Sequence, residues 1–283
     1  MAALPKPSSW IDPSSPIQVV KRPQQLEFSG VFRGHELTRK DRRLSSGLAP
    51  LDALIDGGIP RGRISEITGR AGSGKTSIAA SFASFATRRG EVAAWLDASG
   101  SFDPESMAAA GVELRRMLWV SMRRGSARNL RSPLQKGRPV GLGVRSIVKA
   151  AELVLEAGGF GLVVVDFGEA VRSLTYASSL RIARAAERSG AAVIAIAPWR
   201  MCGTFAALSI VASRAEASFS RLAPGSPVMF DGLAVDAMVA RNKMGGTGRH
   251  VRVRALVDPI QIAAEVHPHL DGKESPVRIS ASS

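Results

Sequence analysis

A glycine-rich stretch with a lysine and a threonine carries the residue types best suited to chemistry in this chain of 283 residues. Its letters, GRAGSGKT, match the pattern G-x-x-x-x-G-K-[ST], which binds phosphate when a strand precedes it and a helix follows. Glycines let backbone N–H groups close around phosphate oxygens, and Lys75 would reach the β and γ phosphates. We therefore predict a nucleotide site formed by Gly69, Arg70, Ala71, Gly72, Ser73, Gly74, Lys75, Thr76 and Ser77.

An aspartate at the end of an apolar run is the second candidate. Asp166 closes the run LVVVD, where a carboxylate without a partner would be costly. A metal ion bound to phosphates usually also contacts an acid at the end of a neighbouring strand. We predict that Asp166 and the hydroxyl of Thr76 hold Mg²⁺. The alternative is that Asp166 only caps the next turn.

The glycine-rich stretch lies within a series of apolar runs that alternate with helical patterns. ISEIT precedes it, and the spacing of Ile78, Phe82 and Phe85 predicts a helix after it that Gly90 ends. The later runs are VAAWLD, MLWVS, LVVVD and AAVIAIA. This alternation predicts an α/β fold with a mostly parallel sheet covered by helices on both faces. The segments LAVDAMVARNK and HVRVRALV, on either side of MGGTG, predict a C-terminal antiparallel hairpin.

Composition and charge narrow the class of protein. Hydrophobic residues make up 45% of the chain and charged residues 22%, which is typical of a folded protein. The single cysteine, Cys202, cannot form an internal disulfide, and neither a secretion signal nor an apolar run of ~18 residues is present. We therefore expect a cytoplasmic protein outside the membrane. The net charge of +14 favours polyanions or acidic protein surfaces as partners.

Much of the excess charge lies in one basic block, residues 114–150, which holds ten basic residues and no acidic one. One interpretation is a solvated set of charges that only aids solubility. The other is contact with single-stranded DNA or an acidic partner, because local ion pairs cannot neutralise the block. Trp119 is the aromatic residue that could stack on bases, but we expect it to be buried in its strand. We select as nucleic-acid contacts Arg123, Arg124, Arg128 and Arg131.

Several stretches resemble the RecA recombinase core, in the same order along the chain. They are LSSGLAPLDALIDGGIPRGRISEITGRAGSGKT, WLDASGSFDP, VVVD and VARNK. The resemblance implies a RecA-like P-loop core at residues 44–257 that binds ATP and Mg²⁺, with a flexible or partly ordered N-terminal arm at 1–43 and a short tail at 258–283. It also implies that Asp103 lies beside the adenine, and that Arg241 and Lys243 reach the nucleotide of a neighbouring copy. Those two cations would otherwise belong to a solvated strand face.

Two positions depart from the RecA pattern. In RecA a glutamate that activates water follows an Asp-Ala pair, whereas here Ser99 follows Asp97 and Ala98. A serine hydroxyl cannot take up a proton at neutral pH. The glutamine that senses the γ phosphate is replaced by Pro198. The catalytic residue is therefore unknown, with Glu169 as a candidate for a substitute base.

A shortened recombinase-like core with altered catalytic positions is similar to the ImuA proteins. These RecA-related accessory proteins are implicated in damage-induced (SOS) translesion synthesis with the polymerase-like ImuB. We expect an ATP-binding accessory protein in DNA repair with weak or no ATP hydrolysis. Its expected partners are single-stranded DNA, repair or translesion polymerase proteins such as ImuB, and further copies of itself. The alternative is an active DNA-dependent ATPase of the RecA type that acts in homologous recombination.

The basic block yields a testable prediction about DNA. If its arginines contact phosphates, the logarithm of the affinity for single-stranded DNA should fall linearly with that of the salt concentration, with a slope of about −0.7 per contact. Replacing Arg123, Arg124, Arg128 and Arg131 by Ala should weaken binding and flatten this slope in fluorescence anisotropy. Equal affinities and equal slopes in the wild type and this variant would indicate that the four arginines do not contact DNA and that the basic block is a solvated surface.

Overall fold

The structure is a computed structural model that describes residues 42–121, 140–169, 171, 173–220 and 228–256. The N-terminal arm, except for its last two residues, and the C-terminal tail lie outside the described residues. So do Arg123, Arg124, Arg128 and Arg131. The domain boundaries and the nucleic-acid role of these arginines therefore stay predictions.

Ten strands in the described part of the chain form two sheets. The small sheet pairs β1 (Arg43–Leu44) with β2 (Ile59–Pro60). The large sheet has the order β10-β9-β8-β3-β7-β6-β4-β5. Its strands are β3 (Ile64–Thr68), β4 (Val92–Asp97), β5 (Met117–Ser121), β6 (Phe160–Asp166), β7 (Ala192–Ala197), β8 (Ala206–Ser220), β9 (Met229–Asn242) and β10 (His250–Leu256).

Helices cover both faces of the large sheet. The helices are α1 (Ala49–Leu54), α2 (Lys75–Arg88), α3 (Pro104–Ala109), α4 (Val140–Ala157) and α5 (Tyr176–Ser189). On one face, Phe82 of α2 belongs to the same core cluster as Trp95 of β4. On the other face, α4 and α5 pack through Ile147 and Ile182. The prediction of an α/β fold with a mostly parallel sheet is confirmed. No helix in the described part of the chain is long and apolar enough to cross a membrane.

Strand β5 differs from the buried strand that its apolar sequence indicates. Among the described residues it lies at one edge of the large sheet and pairs only with β4. Trp119 is 44% exposed, although its ring stacks on Phe102 with 5.0 Å between the ring centroids. The expectation that Trp119 is buried is therefore wrong. An apolar run does not reveal whether its strand is central or at an edge, because that depends on pairing with distant segments.

The antiparallel part of the sheet is larger than the predicted hairpin. The hairpin of β9 and β10 is confirmed, and β8 adds a third antiparallel strand that the sequence analysis missed. Strand β8 also pairs in parallel with β3, with Ile64 opposite Ala206. It therefore joins the antiparallel strands to the parallel core.

A buried glutamate holds the segment that leads into β8. Glu66 lies in β3 with 1% of its surface exposed. Its Oε1 accepts hydrogen bonds from the backbone N–H groups of Met201 and Cys202 at 2.7 and 2.6 Å, and its Oε2 accepts one from the Ser209 hydroxyl at 2.9 Å. Burial and the nearby Glu66 carboxylate together raise the pKa of the Cys202 thiol well above its usual range. Glu66 therefore stabilises the connection between β7 and β8.

We expect Glu66→Gln to lower the free energy of unfolding by about 1–3 kcal/mol, because the amide loses the charge-assisted bonds and cannot accept through both ends. Urea denaturation measures this loss. The matched control is Glu187→Gln, whose glutamate side chain is 62% exposed and should change stability by less than about 0.5 kcal/mol. Equal stability of the two variants would contradict a structural role for Glu66.

Candidate functional site

The predicted phosphate loop connects the end of β3 to the start of α2, as the motif requires. Two of its glycines are needed for packing as well as for backbone freedom. A Cβ on Gly69 would lie 2.4 Å from both the Ala212 carbonyl oxygen and the Ser73 hydroxyl. A Cβ on Gly74, which has a φ of +82°, would lie 2.2 Å from Val235 Cγ2. Because Ala212 and Val235 belong to β8 and β9, the antiparallel strands help to shape this loop.

Lys75 contacts an acidic side chain at the loop. It is the first residue of α2, it is largely buried, and its Nζ lies 2.7 Å from Oε1 of Glu169 and 3.3 Å from the Arg70 carbonyl oxygen. The Glu169 side chain is 54% exposed, so water screens this ion pair on one side. The Glu169 carboxylate therefore contacts the Lys75 ammonium group, which in this motif contacts phosphate. The structure brings together Lys75 and the residue that we named as a substitute base.

Ser99, which stands where RecA has a glutamate, belongs to a local hydrogen-bond network. Ser99 is exposed, and its hydroxyl donates to Asp97 Oδ1 at 3.1 Å and lies 2.7 Å from the Ser101 hydroxyl. Asp97 is fully buried, and its two oxygens also accept the backbone N–H groups of residues 99–102. No role for Asp97 was expected from the sequence. Its place at the end of VAAWLD, like that of Asp166 at the end of LVVVD, is the signal that could have found it.

Asp166 lies beside this network at the same edge of the sheet. Asp97 and Asp166 are register partners at the ends of β4 and β6. Asp166 accepts hydrogen bonds from the Ser101 hydroxyl at 3.1 Å and the Gly168 N–H at 2.9 Å. Burial, with a smaller contribution from Asp97, raises its pKa. The ionised Asp166 therefore opposes folding above its ordinary pKa, and a cation held there would offset this cost.

Asp103 serves as a helix cap. Its Oδ2 accepts the Ser106 N–H at 2.9 Å at the start of α3. The hydrogen bond from the Ser106 hydroxyl, followed by the one from its N–H, lowers the pKa of this exposed carboxyl. An aspartate followed by a proline, as at residues 103 and 104, is a usual sequence signal for such a cap. Contact between Asp103 and an adenine stays a prediction.

Arg241 and Lys243 lie at the opposite end of β3 from the phosphate loop, where β9 ends. Arg241 Nη1 donates to the Gly203 carbonyl oxygen at 2.7 Å, and Lys243 Nζ donates to that of Thr204. Both cations are therefore anchored on the connection that Glu66 holds. The structure does not bring them to Lys75 of the same chain. Contact with the nucleotide of a neighbouring copy stays a prediction.

The loop and its surroundings suit a nucleotide with its metal ion. The close contacts at Gly69 and Gly74 leave no room for side chains, and Lys75 already binds an anionic group. Thr76, in the first turn of α2, and the buried Asp166 supply oxygen atoms of the kind that Mg²⁺ prefers. Among the described residues no group of three or more His, Cys, Asp or Glu side chains could hold a metal ion.

The fold is α/β, and the loop between β3 and α2 carries the sequence pattern of phosphate-binding loops. Residues 30–130 match the family described as the RecA N-terminal domain. Protein RecA of Picosynechococcus sp. is 34% identical to the chain over 166 residues, which are 57% of this chain and 46% of that protein. Protein RecA of Streptococcus pneumoniae is 42% identical over 86 residues, 30% of this chain and 22% of that protein. Part of the chain is therefore similar to RecA proteins, and the chain spans less than half the length of these relatives.

A solved structure titled "Crystal structure of the RadB recombinase" has a TM-score of 0.49 with this chain and 18% sequence identity. The likeness covers 75% of this chain and 95% of that one.

Proposed function

We propose that this chain is a RecA-like ATP-binding accessory protein in DNA repair, acting in the cytoplasm, with weak or no ATP hydrolysis. Its site would be the loop from Gly69 to Ser77, with Mg²⁺ held by Thr76 and Asp166. The observation that carries the proposal is the largely buried Lys75 ammonium, which contacts a carboxylate at 2.7 Å in a loop where Gly69 and Gly74 leave no room for a side chain. ATP would bring phosphates to that ammonium, and Glu169 would have to withdraw.

Weak hydrolysis follows from the Ser99 position. A positioned general base typically contributes about 10²- to 10⁴-fold to a rate. The Ser99 hydroxyl has no basic group to offer, and it is hydrogen-bonded to Asp97 and Ser101. Bound Mg²⁺ would neutralise phosphate charge, while the residues of this chain would orient the phosphates without activating water. ATP would then fix a conformation that DNA or a repair protein recognises.

The finer part of the proposal is the ImuA type of function. In that case the protein acts in damage-induced translesion synthesis, with ImuB or a similar polymerase-like protein and with single-stranded DNA. The altered positions Ser99 and Pro198, together with the short connections after β6 and β7, support this assignment. Arg241 and Lys243, anchored on carbonyl groups at the end of β3 opposite the loop, would reach the nucleotide of a second copy.

A second candidate function is an active DNA-dependent ATPase of the recombinase type. The position of Glu169 favours it, because this carboxylate lies at the phosphate-loop lysine and is half exposed to water. If the phosphates of ATP displace Glu169 from Lys75, the freed Glu169 carboxylate could accept a proton from an attacking water.

Nucleotide binding should depend on Lys75 and be opposed by Glu169. Hydrogen bonds to charged groups contribute about 1.5–3 kcal/mol, so Lys75→Ala should weaken ATP binding about tenfold to a hundredfold in calorimetry. Glu169→Gln should tighten binding by up to about fivefold, because a competing ion pair worth about 1 kcal/mol or less is removed. The matched control is Glu156→Gln on α4, which should bind ATP like the wild type. Equal ATP affinity in the wild type and Lys75→Ala would contradict the proposed site.

ATP turnover with and without single-stranded DNA separates the two functions. For an accessory protein we expect slow turnover that DNA does not stimulate and that Glu169→Gln leaves unchanged, while Ser99→Glu raises the rate. For a recombinase-type ATPase, DNA would stimulate the wild type and Glu169→Gln would lose that stimulation. Fast turnover that depends on neither residue would mean that the catalytic positions are misassigned.

A further inference from the structure

A groove on the α5 side of the molecule shares only Lys243 with the predicted nucleotide contacts. We call it the α5 groove; it lies between the outer face of α5 and the segment that precedes β8, at the opposite end of β3 from the phosphate loop. Its volume is about 410 Å³. That is near the lower end of the usual range for ligand pockets, about 300–1,000 Å³. The groove therefore has room for a few side chains.

The α5 groove is apolar inside and has an exposed aromatic ring on its wall. Ile64, Leu180, Ala183 and Phe205 contribute its apolar surface. Tyr176, the first residue of α5, is 72% exposed and meets the Phe205 ring edge-on, with 5.0 Å between ring centroids. Tyrosine is among the residues that most often carry binding energy at protein interfaces. This ring is therefore a suitable anchor for another apolar side chain.

The charges around the α5 groove are mainly positive. Arg63, Arg184 and Lys243 line it, against one acidic residue, Glu187. Glu187 already pairs with Arg63 at 3.4 Å. Within the described part of the chain Arg184 forms no ion pair, and the Lys243 ammonium contacts only a carbonyl oxygen. The charge complement of this groove is an acidic segment.

We propose that the α5 groove docks an extended acidic segment of a partner protein. One large apolar side chain of that segment packs against Tyr176 and Phe205, and neighbouring carboxylates pair with Arg184 and Lys243. A protein segment fits better than a nucleic acid, because aliphatic residues such as Leu180 and Ala183 line the interior and a single ring is exposed for stacking. Lys243 is the only lining residue shared with the predicted nucleotide contacts. Because no variant in the test alters Lys243, a failure of docking and a failure of ATP binding are distinguishable.

The test uses the full-length protein and a phage-displayed library of random short peptides. The library is selected on the wild type after depletion on the double variant Tyr176→Ala/Arg184→Glu, and Lys243 is left unchanged. Enriched peptides should combine an aromatic or large aliphatic residue with flanking Asp or Glu. In fluorescence anisotropy an enriched peptide should bind about tenfold more weakly to Arg184→Glu than to the wild type.

The matched control is Arg188→Glu, a reversal on the same helix that does not line the groove, and it should bind the peptide like the wild type. Arg184→Glu and Arg188→Glu should both keep the urea midpoint of the wild type, since the altered side chains are exposed. Absence of enrichment, enriched peptides without acidic residues, or equal affinities for Arg184→Glu and Arg188→Glu would overturn the proposal. Displacement of the peptide by oligothymidylate would assign the groove to nucleic acid instead. Self-association that the double variant abolishes would assign it to a second copy.

Discussion

The hydrogen bonds that the buried Glu66 carboxylate accepts stabilise the connection between the parallel and the antiparallel part of the sheet. Between the end of β7 and the start of β8, only residues 198–205 return the chain from one end of the parallel strands to the other. Parallel strands usually need a crossover of a dozen or more residues, most often a helix whose backbone groups bond to each other. A short crossover leaves backbone N–H groups buried without such partners, and Glu66 accepts two of them.

The consequences of this connection reach both ends of the central strand β3. At one end, the carbonyl groups of Gly203 and Thr204 hold Arg241 and Lys243, and the same segment forms a wall of the α5 groove. At the other end, β8 and β9 bring Ala212 and Val235 against the glycines of the phosphate loop. A change in the β7 to β8 connection would therefore alter the loop and the anchored cations together.

The edge of the sheet that carries Asp97 and Asp166 illustrates how the site balances charge. Two buried carboxylates at the ends of neighbouring strands repel each other. Four backbone N–H groups and the Ser99 hydroxyl donate to Asp97, whereas Asp166 has fewer donors and a raised pKa. Lys75 offsets part of this charge and contacts Glu169 at the same time. The arrangement leaves Asp166 as the carboxylate better placed to gain from a cation.

Local patterns in the sequence were sufficient for the α/β class, the parallel strands, the loop between β3 and α2, the cap at Asp103 and the final hairpin. Each of these depends on contacts within a short segment or on a periodicity that is visible in one strand or helix. The position of Asp166 at the end of its strand was predictable for the same reason.

Only the tertiary structure decided that β5 is an edge strand with Trp119 half exposed, that β8 links the parallel and antiparallel parts, and that Glu169 contacts Lys75. These features join residues that are far apart along the chain, such as Lys75 and Glu169, or Glu66 and Met201. No local pattern specifies such pairs, since each depends on which strands become neighbours and on how the connecting segments cross the sheet. The sequence by itself therefore determined the elements and the phosphate loop, whereas the packing of distant segments decided the surroundings of each site residue.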